Sequence, residues 1–201
     1  MRANTVAVAI TGASGSLYGL RLVELLLGAG QHVELMVSKA AQLVIATETD
    51  VKLPTRPDEM AQTLTARYKV DQSLLTVYAK EDWMAPLASG SSVPEAMVIC
   101  PCSSGTLAAI ANGLSQNLIE RAADVVLKEQ RKLIIVSRET PLSVIHLENM
   151  LKLARMGAMI LPAAPGFYHQ PDTVGQLVDF IVARVLDQLN IAHQLLPRWG
   201  E

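Results

Sequence analysis

The chain has 201 residues, 50% of them hydrophobic and 18% charged, with a formal net charge of −2. That length fits one domain spanning residues 1–201, and the weak negative charge, with lysines and arginines scattered, excludes nucleic acid as a partner. No apolar run is long enough for a membrane span and the N-terminus lacks a signal-peptide pattern, so a cytoplasmic location is expected.

The first predicted strand, residues 5–10, runs into Thr11-Gly12-Ala13-Ser14-Gly15-Ser16-Leu17-Tyr18-Gly19 and a helix over 16–30 closed by Gly28 and Gly30. Small residues at such a junction let backbone N–H groups approach a phosphate at the positive helix end. The GxxGxxxG spacing is neither the GxGxxG dinucleotide fingerprint nor a P-loop, and a glycine turn serving only tight packing is the alternative. The second strand, 32–37, ends at Ser38 with no carboxylate for the ribose of NAD, and no Tyr is followed four residues later by Lys. Pyridine-nucleotide dehydrogenases are therefore disfavoured. After a helix over 39–47, the stretch 50–62 with Pro54 and Pro57 is the least patterned and reads as a mobile flap or subunit-contact loop.

Strands follow over 74–78 and 96–100, the latter running into Pro101-Cys102-Ser103-Ser104-Gly105-Thr106, a second hydroxyl-rich helix start. Cys100 and Cys102 are too close in sequence for an ordinary disulfide and read as core or pocket-lining thiols. His32, His146, His169 and His193 show no short ligand spacing, so no metal site is expected. Helices over 103–112 and 118–130 precede a strand over 132–137, which ends in Arg138-Glu139-Thr140-Pro141-Leu142. A charged pair directly after a buried strand projects from its carboxyl edge, where ligands bind in sheets of this kind. The last elements are a helix over 141–156, a strand over 158–162 and a helix over 171–189. Strands apolar on both faces alternating with helices predict a doubly wound, mostly parallel sheet with helices on both faces, a Rossmann-like or flavodoxin-like three-layer sandwich. Taken singly, Arg121 and Lys128 read as solvated helix-face charges. The high apolar content points to surface buried between subunits and hence to a homo-oligomer.

Taken in order, Thr11-Gly12-Ala13-Ser14-Gly15, Pro101-Cys102-Ser103, Arg121-Ala122-Ala123-Asp124-Val125 with Leu127-Lys128-Glu129, Arg138-Glu139-Thr140-Pro141-Leu142 and Pro165-Gly166-Phe167-Tyr168 resemble the UbiX flavin prenyltransferase family. The resemblance covers nearly the whole chain. It implies an enzyme that joins a dimethylallyl group from dimethylallyl monophosphate to N5 and C6 of reduced FMN, without metal, and delivers prenylated FMN to a UbiD-type decarboxylase. It further implies that Gly12, Ala13, Ser14, Ser38, Ser103, Ser104, Gly105, Thr106 and Arg138 bind the flavin. Lys128, Arg138, Tyr168 and Arg184, with Ser89, Gly90 and Arg121, are implied for the allylic phosphate, and Trp83 and Trp199 for the allyl pocket. Ser14, Glu48, Glu139 and Lys128 are the implied catalytic groups, and a dodecamer the implied assembly. Ser104 departs from the family, where a methionine often follows the first serine. The absence of an Asp-rich DDxxD motif suits a monophosphate held by side-chain cations. A flavin-dependent decarboxylase or an FMN electron carrier is the alternative. The related cysteine decarboxylases carry a catalytic His before the Pro-containing loop, but residues 70–98 contain no His. An electron carrier leaves the Lys128, Arg138, Tyr168 and Arg184 set unexplained.

Overall fold

The computed structural model describes residues 2–196. Strands β1 (Arg2–Ile10), β2 (His32–Val37), β3 (Leu75–Tyr78), β4 (Pro94–Cys102), β5 (Lys132–Ser137) and β6 (Met159–Ile160) form one sheet in the order β3-β2-β1-β4-β5-β6. All neighbouring pairs are parallel. The connecting helices are α1 (Ser16–Gly28), α2 (Lys39–Glu48), α3 (Pro57–Tyr68), α4 (Ser104–Ala111), α5 (Leu118–Lys128), α6 (Val144–Arg155) and α7 (Val174–Gln188).

The strands are apolar throughout because the sheet is covered on both faces. In β1, Val6, Val8 and Ile10 point into a core shared with α1, α2, α3 and α7, whereas Ala7 and Ala9 point into a second core with α4, α5 and α6. The chain first winds outward from β1 to β3 and then returns to lay β4 on the other side of β1. That reversal opens a crevice at the carboxyl ends of β1 and β4, the usual ligand position in this architecture. No helix among the described residues is long and apolar enough to cross a membrane.

Two expectations need correcting. The stretch 50–62 is not one irregular loop, because α3 begins at Pro57, with Asp58 and Glu59 in its first turn and Met60, Ala61, Leu64 and Thr65 buried. Proline at the first helical position, followed by acidic residues, is a helix start rather than a breaker. The last strand is also shorter than expected, although Leu161 and Ala163 still donate backbone N–H bonds to Ile135 and Ser137 of β5 at 2.9 and 2.8 Å.

Leu22 of α1 is fully buried in the first core. Leu22→Ala leaves a cavity between helix and sheet and is expected to cost about 3 kcal/mol, read as a lower midpoint in chemical denaturation with the far-UV spectrum retained.

Candidate active site

The crevice is held together by the loops that line it. Thr11 directly follows β1; its hydroxyl donates to Pro101 O and accepts from Ser103 N–H, both at 2.8 Å, joining the two glycine- and hydroxyl-rich loops. Ser38 N–H donates to Ile10 O at 3.0 Å, and Arg138 N–H to Cys102 O at 3.4 Å. Gly12, Ala13, Ser14, Ser38, the Ser103–Thr106 turn, Arg138 and Glu139 thus converge on one sheet edge, as expected. Ser38 caps α2 by accepting from Ala41 N–H, and Ser103 caps α4 by accepting from Thr106 N–H. Two helix N-termini with spare N–H groups therefore face the crevice.

A third N-terminus, that of α1, already holds an anion. Gly15 adopts the left-handed conformation, with φ near 99°, which turns successive N–H groups outward. The Glu48 carboxylate at the end of α2 accepts from Gly15 N–H at 3.0 Å, from Ser16 N–H at 2.9 Å and from the Ser16 hydroxyl at 2.8 Å. Partial burial raises its pKa, but the hydrogen bonds from the Ser14 and Ser16 hydroxyls and these amides outweigh that and hold it below the usual carboxylate range. The phosphate site expected at this helix start is thus taken by the protein's own carboxylate. Ser16 was not singled out in the sequence, because its partner lies 32 residues away.

Across the crevice, the Ser104 hydroxyl donates to Glu139 Oε2 at 2.7 Å and Thr140 N–H to Oε1 at 3.1 Å. These bonds, the Ser104 one first, hold the Glu139 carboxyl below its ordinary range. Arg138 beside it has a buried Nε–H with no hydrogen-bond partner among the described residues. A buried donor on a cation is costly to leave unmatched, so the crevice suits a ligand rich in acceptors. Cys100 and Cys102 are free and fully buried in opposite cores. Burial pushes both thiols up, Cys102 to about 12, so neither is a thiolate nucleophile at neutral pH.

The remaining predicted residues are not brought to this crevice within one chain. Arg121 Nε donates to Ala88 O at 3.2 Å, and the Lys128 ammonium lies against Gly90 while paired with Glu129. A side chain at position 90 would collide with that carboxylate. Arg121 and Lys128, seven residues apart, share one stripe of α5, and the segment carrying Ala88 and Gly90 lies against it. Gly90 lies just before β4 starts and Lys128 just before β5, whereas Arg138 follows the end of β5. The six residues of β5 separate those two ends by roughly 20 Å. Tyr168 and Arg184 line a cavity of about 590 Å3 beside α7, in the layer opposite to α5. Trp83, 48% exposed, lies on the segment between β3 and the α5 stripe. Trp199 lies outside the described residues. Among the described residues no three His, Cys, Asp or Glu side chains gather as a metal site would require.

Residues 1–186 match the Flavoprotein family model. The chain is 60% identical over 196 residues to the flavin prenyltransferase UbiX of Pseudomonas aeruginosa, covering 98% of this chain and 94% of that one. The chain belongs to the UbiX family of flavin prenyltransferases. Among solved UbiX structures, AnUbiX (PadA1) in complex with FMN and dimethylallyl pyrophosphate superposes with a TM-score of 0.88 at 38% identity, covering 100% of this chain and 99% of that one. A dodecameric FMN-dependent UbiX-like decarboxylase from Escherichia coli O157:H7 superposes with a TM-score of 0.87 at 40% identity, over 98% of this chain and all of that one. The UbiX fold here thus carries its loops at the carboxyl edge and its other predicted residues elsewhere on the surface.

Because the folded-state pKa of Glu48 is depressed, its stabilisation is present above the usual carboxyl range and is lost as pH falls through the folded value. Glu48→Gln is expected to lower stability at neutral pH by about 0.5–1 kcal/mol. The gap to wild type should close as pH falls from the ordinary carboxyl range through the lower folded-state value. Denaturation midpoints across that range check it, and a gap independent of pH contradicts it.

Proposed function

We propose that this enzyme joins a dimethylallyl group from dimethylallyl monophosphate to N5 and C6 of reduced FMN, and that the prenylated FMN passes to a UbiD-type decarboxylase. The observation that carries this reading is the buried, unmatched Nε–H of Arg138, the residue that directly follows β5 and precedes Glu139, a cationic donor that a phosphate or flavin acceptor would match. Membership of the family supports it, as does a close structural relative solved with FMN and dimethylallyl pyrophosphate.

Reduced flavin supplies an electron-rich N5 as the nucleophile. Gly12, Ala13 and Ser14 would hold its ring, while Ser38 and the Ser103, Ser104, Gly105 and Thr106 turn would offer their helix N-termini and hydroxyls to its phosphate. Ser14, bonded to the ionised Glu48, would present its hydroxyl oxygen beside N5. The proton lost from N5 as the first bond forms would pass to the freed phosphate, which returns a proton to the remaining double bond and so makes the tertiary carbon cationic for C6; Glu139, kept ionised by Ser104 and Thr140 N–H, would accept the proton that C6 then releases.

The allylic C–O bond breaks more easily when positive donors receive the leaving phosphate. Arg138 provides one within the chain. Ser89, Gly90, Arg121 and Lys128 come from one neighbouring copy, and Tyr168 and Arg184 from another. Cations and hydroxyls take the place of a divalent metal. Trp83 would wall the allyl group from water; an aromatic face stabilises a cation-like fragment by about 0.5–2 kcal/mol.

This reading requires a homo-oligomer, and α6 presents a face for it. The helix buries Asn149 and Leu153, yet Val144, Ile145, Leu147 and Leu151 stay 50–69% exposed, an apolar stripe that a second copy of this chain covers. A dodecamer, as in the relative from Escherichia coli O157:H7, satisfies both requirements.

Anaerobic incubation with reduced FMN and dimethylallyl monophosphate, without added metal and with the diphosphate in parallel, tests the reaction by mass spectrometry of the extracted flavin. A gain of one five-carbon prenyl unit from the monophosphate is expected. Unmodified flavin from both substrates contradicts the proposal, and product from the diphosphate alone contradicts the choice of donor.

A further inference from the structure

The cavity beside α7 contains charged and polar side chains that the proposed chemistry does not use. Arg184 Nη1 donates to Asp187 Oδ2 at 2.7 Å, one turn further along the helix. The other oxygen of the same carboxylate, Oδ1, lies 3.1 Å from His193 Nε2. His193 belongs to the segment after α7 and its side chain is only 15% exposed. Its Nδ1 faces Leu195 N–H at 3.4 Å. An imidazole nitrogen that accepts a backbone N–H carries no proton of its own, so the network places the ring proton on Nε2, which donates to Asp187. The carboxylate is therefore fixed from both sides, by a mostly buried imidazole and by the arginine.

We infer that Asp187, held by His193, is a positioning residue that orients the Arg184 guanidinium for the allylic phosphate. This rests on the reading of Arg184 as a phosphate ligand. Arg184 and Asp187 are 53% and 42% exposed, and an ion pair so exposed adds little to stability, so its effect lies in geometry. Asp187 occupies Nη1 alone, and among the described residues no acceptor meets Nη2 or Nε. Those two nitrogens form the edge of the guanidinium that pairs two N–H groups with two phosphate oxygens. Anchoring the opposite corner removes rotamer freedom that phosphate binding must otherwise remove. Phe180, one turn before Arg184, lies against Gly166 on the loop that carries Tyr168, so helix and loop present both phosphate ligands to one cavity.

Steady-state prenyl transfer by the assembled enzyme, with dimethylallyl monophosphate varied, tests this in a double-mutant cycle. Asp187→Ala is expected to raise KM for the allylic phosphate about tenfold with kcat nearly unchanged, and Asp187→Asn, close to isosteric, to raise it less. In an Arg184→Ala background the same changes at position 187 should have almost no further effect, because the group they orient is gone. His193→Ala should raise KM in the Arg184 enzyme only. Equal effects in both backgrounds would show that Asp187 merely supports the fold. If Arg184→Ala raises KM and Asp187→Ala does not, the positioning role fails while the phosphate ligand stands. If Arg184→Ala leaves KM unchanged, the ligand assignment fails and the positioning role with it.

Discussion

Every strand of this sheet runs the same way, and both of its faces must be kept from water. An all-parallel sheet needs a return crossover for each strand, and covering both faces distributes the crossovers over two layers. Strand ends and helix starts then collect at one edge, while helix ends and strand starts collect at the other. Gly12 to Ser16, Ser38, the Ser103 turn and Arg138 all belong to the first edge. Gly90 and Lys128 belong to the second. The composite site proposed for this UbiX enzyme follows from that geometry, since a single chain cannot bring its α5 stripe to its own crevice.

The charge distribution at the crevice is equally directed. Three helices begin there, and a helix start attracts anions. Glu48 satisfies α1 with a carboxylate from the same chain, which leaves the starts of α2 and α4 to a ligand. Glu139 is held ionised by Ser104 and a backbone amide, so an acidic group at the mouth balances the Arg138 guanidinium. Ser14 is coupled to Glu48, and the carboxylate that completes the α1 terminus therefore also sets the environment of the hydroxyl nearest the proposed reaction.

The architecture was legible because the strands carry continuous apolar runs, and continuous burial on two faces has few solutions. The helix α3 was not, since Pro54 and Pro57 read as breakers and only the buried positions of Met60 and Leu64 reveal the amphipathic face. Motif residues at the crevice were legible because each directly follows a strand. What sequence spacing could not convey was distance across the sheet: Lys128 and Arg138 are ten residues apart in the chain yet sit at opposite ends of β5. Nor could it reveal Asp187 and His193, whose relation to Arg184 exists only once the segment after α7 turns back on the helix.

The central claim is that the flavin crevice of one copy is completed by the α5 stripe of another, and mixed oligomers test it most directly. Glu139→Gln and Lys128→Ala chains, each inactive alone, would be co-assembled and assayed for flavin prenylation. A site shared between copies predicts that activity returns, because some interfaces then pair an intact Glu139 with an intact Lys128 from the neighbouring chain. A mixture as inactive as either parent, with co-assembly confirmed, would place the whole site within one chain and contradict the account.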